Sequence, residues 1–322
     1  METIVLFDPS IRSLNMGDHI IMKSSEKELE HIIEGKFIIN CATHQPAITF
    51  YQNTRLNPRI KIYDNAQYKF ICGSNLLWKN LFVPRPTFNV NLFNCKLYEG
   101  SILFGVGTNS SNKKPNLYTK LLYSKILSKN YIHSVRDERT KRFVEELGYK
   151  AINTGCPTMW KFNDEFCKEV PTKKSDKVIF TLTDYSHDRE NDQILIDILN
   201  ANYNTVYFWL QGASDEVYFD SLKNTENIIK VAPTLKAYEE VLKENIDYVG
   251  TRLHAGMFAL QHKKRTIVIS IDNRVRDMKE TYNLNVVERR EIHKLDDMIN
   301  SNFTTKIEIN KENINKWLLQ FK

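Results

Sequence analysis

Two successive runs of alternating strand and helix signals constrain this 322-residue chain more than any other feature. Short stretches rich in β-branched and aromatic residues recur at 3–7, 36–40, 59–63, 69–72 and 101–105, with helical patterns at 117–128 and 138–147. The short stretches are apolar almost throughout, as strands covered on both faces are. Gly148 follows the second helical pattern, where a residue with positive φ commonly closes a helix. One more strand is expected at 150–153. The Lys-rich segment at 170–177, with Pro171, then reads as a linker. Beyond it the alternation restarts, with strands at 177–182, 205–210, 228–231, 247–250 and 266–271. Helices are expected at 192–200, at 235–244 with Thr234 as its cap, and from Ala255. An amphipathic helix at 311–321 carries Ile314, Trp317, Leu318 and Phe321. The expectation is an α/β protein of two Rossmann-like, doubly wound domains, 1–169 and 170–322. Such domains bind ligands beyond the carboxyl ends of their strands, so the two are expected to face each other across a cleft.

Charge and composition narrow the function classes. The net charge of +6, from 45 basic and 39 acidic residues, suits anionic substrates or an anionic membrane surface. No basic block is long enough to track a nucleic-acid backbone, so nucleic acid is not an expected partner. The first residues lack the basic start of a signal peptide, and no apolar run approaches the roughly 18–20 residues of a membrane span. Five scattered cysteines, with no C-x-x-C pair, argue against a zinc site or a disulfide framework and for a reducing cytoplasm. There is no H-E-x-x-H, G-x-S-x-G, P-loop or dinucleotide fingerprint.

The residues able to carry chemistry cluster at expected strand ends. Arg252 and His254 fall at a strand-to-helix turn, where backbone N–H groups already favour an anion. Arg252 adds a fixed planar cation and His254 a side chain that titrates near neutrality. The same pair also reads as an Arg held by a carboxylate and a His capping its helix. Arg274 follows the next strand, within a charged stretch that also reads as a solvated loop. Arg136 precedes a helix whose N-cap is Asp137. Asn15, Gly17 and Asp18 follow the first strand, where Gly17 permits close backbone approach. Gly73, Ser74, Asn75 and the pair Gly105 and Gly107 end two further strands. Trp78 and Trp209 suit either sugar stacking or the core, and Gln211 and Asp215 follow the strand at 205–210.

Together these segments resemble the polysaccharide pyruvyl transferase family. Its G-x-R-L-H pattern stands as Gly250-Thr251-Arg252-Leu253-His254, its S-V-R-D as Ser134-Val135-Arg136-Asp137, and its N-terminal G-D as Gly17-Asp18. Its Y-D-P-K-V segment corresponds to Ile271-Asp272-Asn273-Arg274-Val275, and its glycine triplet to Gly73-Ser74-Asn75. The resemblance implies a GT-B-like fold and transfer of a pyruvyl group from phosphoenolpyruvate to a sugar diol, leaving a cyclic ketal. Phosphoenolpyruvate is then a co-substrate, with no metal or other cofactor. The acceptor is a glycan or lipid-linked saccharide, and the implied location is the cytoplasm, with peripheral association at the inner face of the membrane. On this reading Arg252, Arg136, Arg274 and Gly250 bind the donor in the second domain or close on it. His254 is the acid or a donor to the leaving phosphate, with Arg252 in the catalytic pair. Asn15, Gly17 and Asp18 lie on the acceptor side in the first domain. The alternatives are a GT-B glycosyltransferase using a nucleotide sugar and a non-catalytic phosphosugar-binding protein.

Overall fold

The structure is a computed structural model describing residues 2–48, 52, 57–83, 87–108 and 114–321, apart from the side chains of Arg59, Asn273, Arg274 and Asp277. It divides into two compact units. The first comprises Met1–Ser13, Ile21–Trp160 and Asn310–Lys322, and the second Leu14–Ile20 and Lys161–Ile309.

In the first unit the strands are β1 (Thr3–Asp8), β2 (Phe37–Ala42), β3 (Tyr68–Cys72), β4 (Ile102–Phe104), β5 (His133–Val135) and β6 (Ala151–Asn153). They pair in parallel in the order β2-β1-β3-β4, with β5-β6 as a separate parallel pair. Side chains span the gap between β4 and β5. Leu103 N–H donates to His133 Nδ1 at 3.1 Å and Gly105 N–H to Ser134 Oγ at 2.9 Å. The backbone resumes the pairing where Arg136 N–H donates to Val106 O at 3.0 Å. Val5, Phe7, Ile71, Leu103, Leu122 and Phe143 form one core on this sheet. The helix Lys311–Leu318 packs on the same unit. Its Trp317 stacks on Phe104 with centroids 4.9 Å apart and donates Nε1–H to Ile132 O at 2.8 Å.

The second unit holds β7 (Lys177–Thr181), β8 (Thr205–Trp209), β9 (Ile229–Val231), β10 (Asp247–Gly250), β11 (Thr266–Ser270) and β12 (Val286–Glu288). All are parallel, in the order β12-β11-β10-β7-β8-β9. Counted from β7, this is the doubly wound order 6-5-4-1-2-3, whose direction reverses between β7 and β10. Apolar runs build both faces. Phe180, Phe208, Val249 and Ile269 face one core, while Ile179, Trp209, Tyr248 and Phe258 face the other.

Several sequence expectations need correction. Residues 59–63 are helical, inside Pro58–Asp64. Pro58 occupies the first helical position, where its fixed φ favours a helix, and Ile60 packs inward. The segment 170–177 is no linker. Val170 is buried, Ser175 N–H donates to Asp247 Oδ1 at 3.3 Å, and Ser175 Oγ–H donates to Asn245 O at 2.7 Å. The chain instead passes between units at Trp160 and Lys161, so the expected boundary at 169/170 moves back. Leu14–Ile20 also joins the second unit, and Asn310–Lys322 returns to the first. The charged stretch after β11 opens the helix Asn273–Tyr282.

Candidate active site

The turn at Thr251 and Arg252 leaves β10 beside the carboxyl end of β7, at the reversal point of the sheet. Such points in open α/β sheets form the crevice where ligands bind. The turn is fastened to β7 by backbone and side chain. Thr251 N–H donates to Thr181 O at 3.1 Å, and Arg252 N–H to Thr181 Oγ1 at 3.3 Å. Tyr248 Oη–H donates to Arg252 O at 2.7 Å, which leaves Thr181 Oγ1–H to donate to Tyr248 Oη at 2.7 Å. Burial pushes the Tyr248 phenol well up, so it stays a donor. Gly250 leaves room for this lock. A Cβ there would lie 2.5 Å from Thr181 Oγ1 and 2.8 Å from Tyr248 Oη. The glycine assigned to donor binding therefore has a packing reason of its own.

Arg252 is 3% exposed and its guanidinium is turned inward. Nε–H donates to Leu182 O at 2.8 Å, and Nη2 pairs with Asp184 Oδ1 at 2.8 Å and with Asp215 Oδ1. The Tyr185 ring lies 5.1 Å from its Cζ. This is the carboxylate-held reading of the Arg, with two carboxylates on one cation. Asp215 is fully buried and collects N–H donors. Gln211 N and Gly212 N reach Oδ2 at 3.0 and 2.6 Å, and Asp184 N reaches Oδ1 at 3.2 Å. Burial pushes its carboxyl upward, while Arg252 and the Gly212 amide pull against that. The neighbouring Asp184 carboxylate adds to the upward push, while the N–H groups of Gln211, Gly212, Asp184 and Arg252 all donate to it. Gly212 is required here as well, because a Cβ would overlap Arg252 Nη2.

The Asn15 segment joins the same network. Asn15 Oδ1 accepts from Gly17 N at 3.0 Å and from Gln211 Nε2 at 2.7 Å. Met16 N–H donates to Gln211 O at 2.9 Å, and Ala213 N–H to Leu14 O at 3.0 Å. Asp18 is buried on the first turn of the helix Met16–Glu28. Ile20 sits in the second unit's core. Asn15, Gly17 and Asp18 therefore belong with Arg252 in the second unit, not in the first domain as expected. The cause is the backbone pairing of Asn15 with Gly212, which sequence spacing does not announce.

His254 stands half-buried on the first turn of the helix Leu253–Gln261, with Arg252 as the N-cap residue. The first N–H groups of a nine-residue helix have no acceptor within the helix and favour an anion in front of them. The side chain of Arg274 lies outside the described residues, on the helix that follows β11.

In the first unit Arg136 is buried after β5. Its Nη2–H donates to Asn75 Oδ1 at 2.6 Å, and its Nε lies 3.5 Å from Asp137 Oδ2. The guanidinium lies over Gly107, where a Cβ would approach Cζ to 2.6 Å. Asp137 caps the helix Glu138–Glu146, as expected, by accepting from Thr140 N at 2.7 Å. The Gly73–Asn75 turn, the Gly105–Gly107 turn and Arg136 thus meet at one end of the sheet. Gly73 and Gly105 both have positive φ, 27° and 63°. Trp209 is core, stacked on Tyr238 at 4.0 Å, and Trp78 donates Nε1–H to Thr87 Oγ1 at 2.6 Å. All five cysteines are free and buried. No group of three or more metal-ligating side chains occurs among the described residues. Asp184 is the residue that sequence reasoning missed; its only signal was its place just after β7.

The family model of polysaccharide pyruvyl transferases matches residues 15–273, most of the chain. This chain belongs to that family. Membership places it among transferases of polysaccharide biosynthesis, and the match takes in the Asn15 segment, Arg136 and the Gly250–His254 turn. Among curated proteins no sequence matches significantly. Two solved structures of Methanocaldococcus jannaschii UDP-GlcNAc 2-epimerase resemble it at TM-scores of 0.53 and 0.54, with 14% and 12% identity and 99% of each chain covered. The first of these holds UDP-GlcNAc and UDP. Escherichia coli heptosyltransferase WaaC aligns more loosely, at a TM-score of 0.38 and 11% identity over 93% of this chain and 99% of its own. For this pyruvyl transferase family member the epimerase likeness shows the fold alone, two Rossmann-like α/β units of the GT-B type.

Proposed function

We propose that the protein transfers a pyruvyl group from phosphoenolpyruvate to two hydroxyls of a sugar, giving a cyclic ketal and inorganic phosphate. The observation that carries this reading is the family match across 15–273, which includes the Gly250–His254 turn at the sheet's reversal point. A proton must reach the C3 methylene of the donor before C2 becomes electrophilic, which calls for a general acid. One sugar hydroxyl then bonds to C2, the bond from C2 to the phosphate oxygen breaks, and the second hydroxyl bonds to C2. Of the two hydroxyl protons released, one replaces the proton given to C3 and the other leaves on phosphate.

His254 is the acid in this scheme, on a helix turn whose N–H groups favour the donor's anions. Arg252, held by Asp184 and Asp215, acts as a positioning residue for that turn. Asn15 accepts from the Gln211 side chain and Gly17 leaves room for it, on the loop that leads to Asp215. Arg274 is a further cation for the donor's phosphate and carboxylate, and a cation on the phosphate also stabilises its departure.

Thermal stabilisation by phosphoenolpyruvate, and not by UDP-sugars, is the expected binding result. His254→Gln should melt as the native protein does and lose about a hundredfold or more in turnover. Near-native ketal formation by that variant contradicts the assignment of His254.

A further inference from the structure

The first unit exposes an apolar surface that neither the transfer chemistry nor the core accounts for. Phe82 is 76% exposed, Phe93 72% and Leu117 85%, with Leu92 and Leu121 a little under half exposed. Phe82 lies against the helix that carries Leu117 and Leu121. The Phe82 ring meets Tyr118 edge-on at 5.5 Å, and both line one depression of about 410 Å³ with Val83 and Asn91. Leu92 and Phe93 follow Asn91 directly, and Leu117 precedes Tyr118. The helix Leu117–Ile126 therefore has two apolar stripes. Leu122, Tyr123 and Ile126 face the core, while Leu117 and Leu121, one turn apart, face outward.

Charge says what covers this surface. Residues 65–135 contain nine Lys and Arg against a single acidic residue, Glu99, a net +8 on a chain whose total is +6, although Lys69 is buried and Lys96 pairs with Asp64 just outside this stretch. The remaining residues therefore sum to −2. Lys114, Lys120 and Lys125 are exposed beside the outward stripe. None of the three has a carboxylate partner among the described residues. Bulky apolar side chains rimmed by unpaired lysines match a lipid surface with anionic headgroups. The apolar groups enter the headgroup boundary and the lysines meet the negative surface potential.

We propose that the face around Phe82, Phe93 and Leu117 docks this protein on an anionic bilayer. No helix among the described residues is long and apolar enough to cross a membrane, so this attachment is peripheral. The helix Lys311–Leu318 does not provide it, because its apolar face is occupied by Trp317 packing in the first unit. The inference does not depend on the transfer chemistry.

The test is co-sedimentation of the full chain with phosphatidylcholine vesicles, with or without about a third phosphatidylglycerol. The protein should pellet with the anionic vesicles, weakly with the neutral ones, and less as salt rises. Combined Phe82→Ser, Phe93→Ser and Leu117→Ser, and separately combined Lys114→Glu, Lys120→Glu and Lys125→Glu, should each lower partitioning at least about tenfold. Both sets lie at exposed positions, so melting temperature should be unchanged. Equal pelleting with both vesicle types overturns the proposal, as does native-like pelleting of either variant. A dimer in solution that the apolar variant abolishes assigns the face to a second copy and also overturns it.

Discussion

Arg252 shows how one side chain changes meaning once its neighbours are known. As a lone cation at a strand end it reads as an anion ligand. In the structure it shares Nη2 between Asp184 and Asp215 and gives Nε–H to Leu182 O. Both carboxylates follow strand ends, but they come from different strands, so their meeting is a property of strand order that no local pattern carries. Their burial differs: Asp215 is fully buried, and Asp184 is partly exposed. Removing one partner of a buried pair leaves an uncompensated charge, whereas a partly exposed partner is replaced by water. Asp215→Asn should therefore cost about 3 kcal/mol of stability, and Asp184→Asn about 1 kcal/mol. Urea unfolding measures both, and the reverse order contradicts this account of the network. Gly250 was singled out by its match to the family's G-x-R-L-H pattern, and His254 by its place at a strand-to-helix turn. The reason for Gly250, the crowding by Thr181 and Tyr248, was not legible, since both neighbours come from elsewhere in the sheet.

Among elements, the junction between β4 and β5 is bridged by a buried histidine that makes it sensitive to pH. His133 is fully buried, accepts from Leu103 N–H on Nδ1 and donates Nε2–H to Ser128 O at 2.9 Å. Only the neutral ring can do both, and burial lowers its pKa to about 4. The unfolded value is near 6.5, so between these limits the unfolded chain binds more protons than the folded one. The contribution of His133 is complete above pH ~6.5 and is lost as pH falls through about 4, a total of about 3 kcal/mol. His133→Gln should flatten the pH dependence of the urea midpoint across this window. An unchanged dependence contradicts the role given to the neutral ring. The longer strands were legible because their apolar runs are continuous. β5 and β12 were not read, although β4, β6 and β9, also of three residues, were. The stretch at 59–63 carried a strand-like composition, and Pro58 together with inward packing of Ile60 made it a helix.

For the whole molecule, sequence order is a poor guide to which unit a segment joins. Asn310–Lys322 returns to the first unit through Trp317, which contacts Phe70, Phe104 and Trp160. Trp317→Ala should cost about 4 kcal/mol there. By amide exchange, protection in β3 and β4 should fall by about a thousandfold; unchanged protection in those strands contradicts the packing. The doubly wound order of the second unit was implicit in the alternation of strands and helices, because parallel crossovers permit few alternatives. The return of the chain end and the docking of Leu14–Ile20 depend on long-range packing and were not. One assay tests the transfer chemistry directly. The protein is incubated with phosphoenolpyruvate and a panel of glycans, and phosphate release is followed alongside product mass. The account predicts stoichiometric phosphate and a glycan heavier by one pyruvate less one water, with both signals lost in His254→Gln. Glycosyl transfer from a nucleotide sugar, with phosphoenolpyruvate untouched across the panel, would contradict it.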